Sequence, residues 1–490
     1  MPMHEQRTAL EGRARCLRAT ASASNLRAAF DADACRCRLL IRSLDTDAAA
    51  TLVAALQEQA GDEAQRANAL ELLAHLRLER QDAAGALEAA QQAGKLAVAA
   101  RLRRVELLAA QRAAIALMRL GRADEAVAAL EAEADDLAPL DGDEQVHWLN
   151  DLALALDGAD RRRRAITVLE RVAALAAAQE RGAVEAEAWS QLGVALMYAG
   201  RLDDSTAAYR RSIALARRAG LSEASTLVDQ MGLIGNLRDR GCYDEYLAQA
   251  QDMPDALRRA GLDFWAANAE NDLATTYAML GRADLALRAL APLQPDQPAL
   301  MRGLRLLVRC SLARYYGVGA PASGVLAQWT AQAVELIGEH GGRSYLRLRL
   351  ALETATDLPP AEGIARVRAV QDEADRREMP MLAAAAGLQL IRLLLKSGQA
   401  ADAAAAAHDV LARDAADGPQ AGTFRPAFGW LVHQALRVAD PLRAQEVLAD
   451  TAAWVMTAAD RHVPPLFRES FLQQQPINAA LLAAARRSRA

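Results

Sequence analysis

Aromatic residues are scarce in this sequence. Phe, Trp and Tyr together make up 4% of the 490 residues, although 52% of the chain is hydrophobic. Alanine and leucine dominate the apolar residues, and arginine dominates the basic ones. Strands favour aromatic and β-branched side chains, whereas alanine, leucine and arginine are strong helix formers. The composition therefore predicts an all-α protein.

Cysteine is also scarce, and long apolar runs are missing. The five cysteines form an odd, scattered set, which is not the framework of a secreted disulfide protein. No run reaches the length of a membrane span, and the first residues, up to Arg18, contain no apolar signal core. We therefore expect a cytoplasmic protein that neither enters a membrane nor is exported.

Positive charge is not in excess. The formal net charge is −5, and no basic stripe is interleaved with aromatic residues, so we do not expect a nucleic-acid partner. The seven histidines include no pair at the helical spacing of metal ligands. Gly94-Lys95 lacks the first glycine and the hydroxyl residue of a phosphate-binding loop. We predict a protein that is not an enzyme and that needs neither a metal nor a cofactor.

A repeated helical hairpin is the clearest pattern. Apolar residues recur at spacings of three and four on both sides of Gly200-Arg201-Leu202-Asp203, which indicates two amphipathic helices joined by a tight turn. The turns recur roughly every 40 residues, which predicts about ten hairpins. Two less regular hairpins are expected between Gly281 and Gly398, with turns at 317–324 and 357–360. The same turn is found at Gly121-Arg122-Ala123-Asp124, Gly241-Cys242-Tyr243-Asp244, Gly281-Arg282-Ala283-Asp284 and Gly398-Gln399-Ala400-Ala401.

The hairpin at 185–218 resembles the tetratricopeptide signature. Its small residue Gly193 allows the second helix to approach closely, and Tyr209 packs back from that helix. The period is longer than the 34 residues usual for the family. In this respect the chain is similar to the long repeats of maltose-regulator-like and other multidomain bacterial regulators. The resemblance implies a right-handed α-solenoid that binds peptides, partner domains or small effectors. The residues that carry it are Trp189, Leu192, Gly193, Gly200, Tyr209 and Ser212.

Three segments are predicted along the chain. Residues 1–44 form an N-terminal helical cap, 45–460 the solenoid, and 461–490 a C-terminal capping segment. In the last segment Pro464 and Pro465 stop a helix, and the open end of an array has to be covered. We expect Phe467, Phe471 and Leu472 to cover the apolar face of the last hairpin.

In a stack of hairpins the first helices line the concave surface. Positions ten residues before each turn are mostly polar, and amide side chains there can both donate to and accept from an extended peptide. Solvent-facing helix positions are also usually polar, which is the ordinary alternative. The predicted partner-binding residues are Gln111, Asn150, Trp189, Ser190, Tyr198, Asn236, Asn268, Asn271 and Thr275.

The function predicted from these features is a noncatalytic protein–protein interaction scaffold in bacterial signalling or regulation. It would bind a peptide or partner domain in its groove, and it could also self-associate. The alternative is a sensor of a small molecule or signal peptide that passes a conformational change to a separate output protein. A long open groove favours the scaffold, whereas a compact pocket ringed by polar groups favours the sensor.

Overall fold

The protein is all-α and built of helical hairpins, as predicted. Every regular element in the described residues is a helix, and each hairpin leads directly into the next. The computed structural model describes residues 3–19, 22–43, 45–134, 136–290, 295–319, 321, 324–338, 344–418 and 422–488.

The chain divides into two compact units, Met1–Leu175 and Ala176–Ala490. We call them unit 1 and unit 2. The helices that begin in unit 1 are α1 (Met3–Ala19), α2 (Ala23–Arg42), α3 (Thr46–Gln59), α4 (Glu63–Glu79), α5 (Ala83–Ala99), α6 (Arg103–Arg119), α7 (Ala123–Glu131), α8 (Gly142–Gly158) and α9 (Arg162–Ala178).

Unit 2 contains the remaining helices and a single π-helical turn, Ser470–Gln474. Its helices are α10 (Gly182–Tyr198), α11 (Leu202–Arg218), α12 (Glu223–Asp239), α13 (Tyr243–Ala250), α14 (Met253–Arg259), α15 (Asp263–Met279), α16 (Ala283–Ala289), α17 (Ala299–Tyr316), α18 (Val325–Ile337), α19 (Ser344–Ala355), α20 (Pro360–Arg376), α21 (Pro380–Lys396), α22 (Ala400–Asp417), α23 (Arg425–Leu436), α24 (Pro441–Arg461), α25 (Pro465–Glu469) and α26 (Pro476–Arg487).

The period of roughly 40 residues has a simple structural origin. The helices α4, α5 and α6 each contain 17 residues and are separated by linkers of three residues, so each half of the repeat occupies twenty positions. From α4 to α24 the described helices form ten hairpins, the number predicted, with the second half of one hairpin divided into α13 and α14.

Left-handed glycines produce the turns inside the regular hairpins. Gly121, Gly200, Gly241, Gly281 and Gly398, the predicted turn glycines, all have φ between 71° and 82°. After α10 the Arg201 amide donates to the Leu196 carbonyl, a bond that reaches back five residues as in a Schellman motif. Glycine reaches this conformation without steric cost, so the turn reverses the chain within three residues.

The packing predicted for the hairpin at 185–218 is confirmed. A Cβ atom on Gly193 would lie 2.7 Å from Cδ1 of Tyr209, and one on Gly232 of α12 would lie 2.5 Å from Cζ of the same ring. The Tyr209 ring is therefore held between glycines of two successive first helices. Either substitution would force the ring out of a buried position.

The two less regular hairpins are also present. Helix α17 ends at Tyr316 and α18 begins at Val325, whereas α19 ends at Ala355 and α20 begins at Pro360. Both intervals match the predicted turns. Residues 320, 322 and 323 of the first turn lie outside the described residues.

The C-terminal helices of unit 2 pack against helices near its middle. The Trp454 ring lies against Gly241, where an added Cβ would approach Cζ2 to 2.7 Å. The ring of Phe471 lies 6.0 Å from that of Tyr243, and Ser470 Oγ donates to the Leu280 carbonyl at 2.7 Å. Helix α26 also contacts α23 and α24. Unit 2 thus returns on itself. The expectation for the C-terminal segment is too narrow, because Phe471 and Phe467 contact Tyr243 and Tyr277 of α13 and α15 and do not cover the last hairpin alone.

Candidate partner-binding surface

First helices of successive hairpins are joined by polar contacts. In unit 1, Glu71 of α4 lies 3.3 Å from Arg38 of α2 and 3.4 Å from Arg112 of α6. Gln111 is 2% exposed, and its Nε2 donates to Asp151 of α8 at 2.5 Å. The structure therefore places the predicted Gln111 inside a contact between α6 and α8. Asn150 is half-buried on α8.

The same pattern continues in unit 2 at the predicted Ser190. Ser190 Oγ donates at 2.5 Å to Asp229 of α12, whose other oxygen accepts from Ser212 at 2.6 Å. Burial raises the pKa of Asp229 above its usual value, because both donors are neutral hydroxyls. This carboxylate fixes the relative positions of α10, α11 and α12.

Trp189 is half-buried beside Ser190. Its Nε1 donates to Glu185 at 3.3 Å, and the Arg211 guanidinium lies 4.4 Å from the ring centroid. One face of the indole is therefore already occupied by a cation.

Asn236 is buried, and its Nδ2 donates to Ser205 at 3.0 Å and to Thr206 at 3.2 Å. Its side chain thereby ties α12 to α11. The Asn236 Oδ1 atom is buried and accepts no hydrogen bond among the described residues.

The three predicted residues of α15 share one side of that helix, because they are spaced by three and four. Asn268 Nδ2 donates to the Phe264 carbonyl at 3.0 Å, and Thr275 Oγ1 donates to the Asn271 carbonyl at 2.9 Å. Both side chains are half-buried and bonded to their own helix. Asn271 is buried, with an Oδ1 that accepts no bond within the described part of the chain.

The contact made by Tyr198 indicates that the row of first helices in unit 2 is curved. Its ring packs edge to face with that of Tyr345 at 5.4 Å, although α10 and α19 belong to hairpins far apart in the sequence. Both side chains are half-buried. First helices of non-consecutive hairpins can meet only if the row of first helices curves.

A polar cluster that the sequence reasoning missed lies on the same row of helices. Glu353 of α19 accepts from Ser311 of α17 at 2.8 Å and pairs with Arg314 at 3.3 Å. Tyr315 OH lies 3.4 Å from Glu353 and 3.3 Å from Gln389 of α21. Helix α17 therefore reaches past α19 to α21, which is a second contact between non-consecutive first helices.

We call the row of α10, α12, α15, α17, α19 and α21 the inner face of unit 2. It brings together seven of the nine predicted residues on three helices, whereas Gln111 and Asn150 lie in unit 1. The cluster at Glu353 was missed because positions were counted back only from the regular turns up to Gly281, whereas α17 and α19 belong to the two less regular hairpins. The unusual pair Tyr315-Tyr316 was the available signal.

An open cleft of about 520 Å³ lies between α13 and the C-terminal segment. Asp244 and Leu247 of α13 form one wall, and Pro464, Leu466 and Phe467 form the other. This cleft is shallow and lined by residues of both charge signs.

No cluster of histidine, cysteine, aspartate or glutamate able to hold a metal ion occurs within the described ranges. In the same ranges, no helix combines the length and apolar character needed to cross a bilayer.

Comparison with known proteins gives similarities to helical-repeat structures. A putative kinesin light chain from Podosopora anserina, with nearly identical TPR-like repeats, is 19% identical in two crystal structures, with TM-scores of 0.36 and 0.35. Both matches cover 41% of this chain, and they cover 99% and 96% of the other chain. The apo form of RapI is 10% identical, with a TM-score of 0.49, over 76% of this chain and 98% of that one.

No family model and no curated protein matches the sequence. The helical hairpins themselves, rather than these similarities, define the fold described above.

Proposed function

We propose that this chain is a noncatalytic binding protein that holds a peptide or a segment of a protein partner on the inner face of unit 2. The contact between Tyr198 and Tyr345 carries the proposal, because α10 and α19 can meet only if this face curves inward. Half-buried amide, hydroxyl and tyrosine side chains line it. Such groups can bond an extended backbone and pack against its side chains.

A second candidate function is a sensor, and the return of the C-terminal helices onto α12 to α15 favours it. A ligand that contacts both α10 and α19 would stabilise the closed arrangement of unit 2 relative to a more open one. Its binding could then be passed to a separate output protein. A role in bacterial signalling and a cytoplasmic location stay predictions.

The test is selection of displayed peptides on the purified full chain, followed by affinity measurement with two double variants. Asn268→Ala/Thr275→Ala removes two polar groups from the proposed surface. Within the described ranges, each of these groups bonds only a carbonyl of its own helix, so packing should survive. We expect selected peptides to bind about 10-fold more weakly, since two neutral hydrogen bonds at roughly 0.7 kcal/mol each add up to about 1.4 kcal/mol.

The matched control is Gln249→Ala/Thr167→Ala. These are also an amide and a hydroxyl that donate to the carbonyl four residues earlier, at 3.2 Å in each case, but they lie exposed on the second helices α13 and α9. The control should bind like the wild type. Failure to select any peptide, or equal losses in both double variants, would contradict the proposal.

A further inference from the structure

One cation on the inner face of unit 2 has no acidic partner. Arg392 of α21 lies 4.6 Å from the ring centroid of Tyr315, and its Nη1 is 3.4 Å from Gln389 Oε1. Among the described residues it forms no ion pair, although nearby arginines do. Arg314 pairs with Glu353 and Asp357, and Arg238 pairs with Asp239 and Asp272.

The surroundings of Arg392 are crowded by protein but remain open to water. Desolvation lowers the pKa of Arg392, and it raises the pKa of the neighbouring Tyr316 to about 12. Both side chains nevertheless remain half-buried rather than buried. Arg349 of α19 is likewise crowded by protein while 39% of its side chain stays accessible, but its neighbours Tyr345 and Glu353 keep its pKa raised. Partly desolvated side chains of this kind remain within reach of a ligand.

The charged side chains around Arg392 carry one more positive charge than negative charges. Arg314 and Arg349 are offset by Glu353 and Asp357, so the remaining positive charge is that of Arg392. A half-buried guanidinium without an ion-pair partner loses hydration, and its contacts with Tyr315 and Gln389 offset only part of that loss. A singly charged planar anion would restore the balance and could accept two parallel N–H bonds. The neighbouring carboxylates would repel a doubly charged phosphate.

The tyrosines near Arg392 indicate which chemical group would be attached to that anion. Four of the eight tyrosines of the chain meet here: Tyr198 packs on Tyr345, and Tyr315 adjoins Tyr316. Their accessible ring surfaces favour a ligand with an aromatic or apolar group close to its charge.

We infer that Arg392 and Tyr315 form a subsite for a carboxylate group that is attached to an aromatic or apolar moiety. A peptide with a free C-terminus and a small aromatic acid both carry this chemistry. The inference rests on the proposed function in one respect, since it places this group on the same inner face.

The experiment compares acids with their amides. Binding of 3-phenylpropanoate and 3-phenylpropanamide to the full-length protein is measured by ligand-observed NMR. Each displayed peptide selected above is titrated as the free acid and as the C-terminal amide. We expect at least one acid to bind 10-fold or more tightly than its amide, because a hydrogen bond between two charged groups is stronger than one to a neutral amide.

The preference should depend on Arg392. Arg392→Gln should abolish the preference for the acid while leaving binding of the amide unchanged, and Arg392→Lys should retain part of it. Arg347→Gln is the matched control, since this exposed arginine of α19 lies two residues from Arg349. If Arg392→Gln does not fold, the comparison of acid with amide on the wild type still decides the question.

The outcomes separate the two proposals. If the peptides bind more tightly as acids, the ligand is a peptide C-terminus. If only 3-phenylpropanoate binds more tightly than its amide, the ligand is a small free acid. Either result supports the subsite. If peptides bind equally as acids and amides, and 3-phenylpropanoate binds no better than its amide, the subsite is overturned while the proposed function stands. Equal effects of Arg392→Gln and Arg347→Gln would also overturn the subsite.

Discussion

Two buried carboxylates that join first helices have opposite electrostatic environments. Burial raises the pKa of Glu71, but the coulombic attraction of Arg38 and Arg112 outweighs it and the net shift is downward. Asp229 is buried equally well but is bonded only by Ser190 and Ser212, and its pKa is raised. Two neutral hydroxyls evidently do not compensate for the desolvation of a charge.

This difference predicts that Asp229→Asn stabilises the protein near neutral pH. A raised pKa in the folded state means that the contribution of Asp229 to stability is complete below its unfolded pKa of about 4 and is lost as the pH rises through the folded value. We expect the variant to gain about 1 kcal/mol in free energy of unfolding at pH 7 and nothing at pH 4. Urea unfolding at both pH values measures this.

Asp372→Asn provides the control for that experiment, because Asp372 is exposed on α20. It should leave the free energy of unfolding unchanged at either pH. Destabilisation by Asp229→Asn at pH 7 would show that the two serine hydroxyls hold the charged form more strongly than burial disfavours it.

At the scale of the element, the helices and turns could be predicted from the sequence because their causes are local. Apolar spacing sets the 17-residue helices, and glycines such as Gly121 and Gly200 set the reversals. Counting back from a turn also placed Gln111 and Asn271 on first helices. It could not show that they are buried, since the neighbouring first helix that covers them belongs to a different repeat.

Some turns adopt the left-handed conformation without glycine, and this allows a paired test. Gln81 has φ 63° at the position equivalent to Gly121, which has φ 75° and open space around it. Left-handed backbone costs an L-residue about 1–2 kcal/mol, partly offset by the greater unfolded freedom of glycine. We expect Gln81→Gly to stabilise the protein by roughly 0.5–1 kcal/mol and Gly121→Gln to destabilise it similarly.

Urea unfolding followed by circular dichroism checks both changes. Gln81→Ala should be almost neutral, since alanine has the same restricted backbone as glutamine. Changes of the same sign in Gln81→Gly and Gly121→Gln would mean that side-chain contacts, rather than backbone conformation, determine the stability of these turns.

At the scale of the whole molecule, the sequence was least informative about contacts between distant repeats. Tyr198 with Tyr345, Tyr315 with Gln389, and Ser470 with Leu280 join residues that no local periodicity relates. Their positions depend on the small rotation between successive hairpins, summed over several of them. This is why the predicted groove residues included Tyr198 but not the arginines and tyrosines opposite it.

The return of the C-terminal segment onto α13 predicts how unit 2 unfolds. Phe471 is fully buried against Tyr243, so Phe471→Ala should cost about 3–5 kcal/mol. Because the ring bridges elements distant in sequence, hydrogen-exchange protection should fall in α13, α15 and α24 as well as in α26. Leu466→Ala, at a side chain of the same segment that is 78% exposed, should change neither stability nor protection. Loss of protection confined to 465–487 would show instead that this segment covers unit 2 without stabilising it.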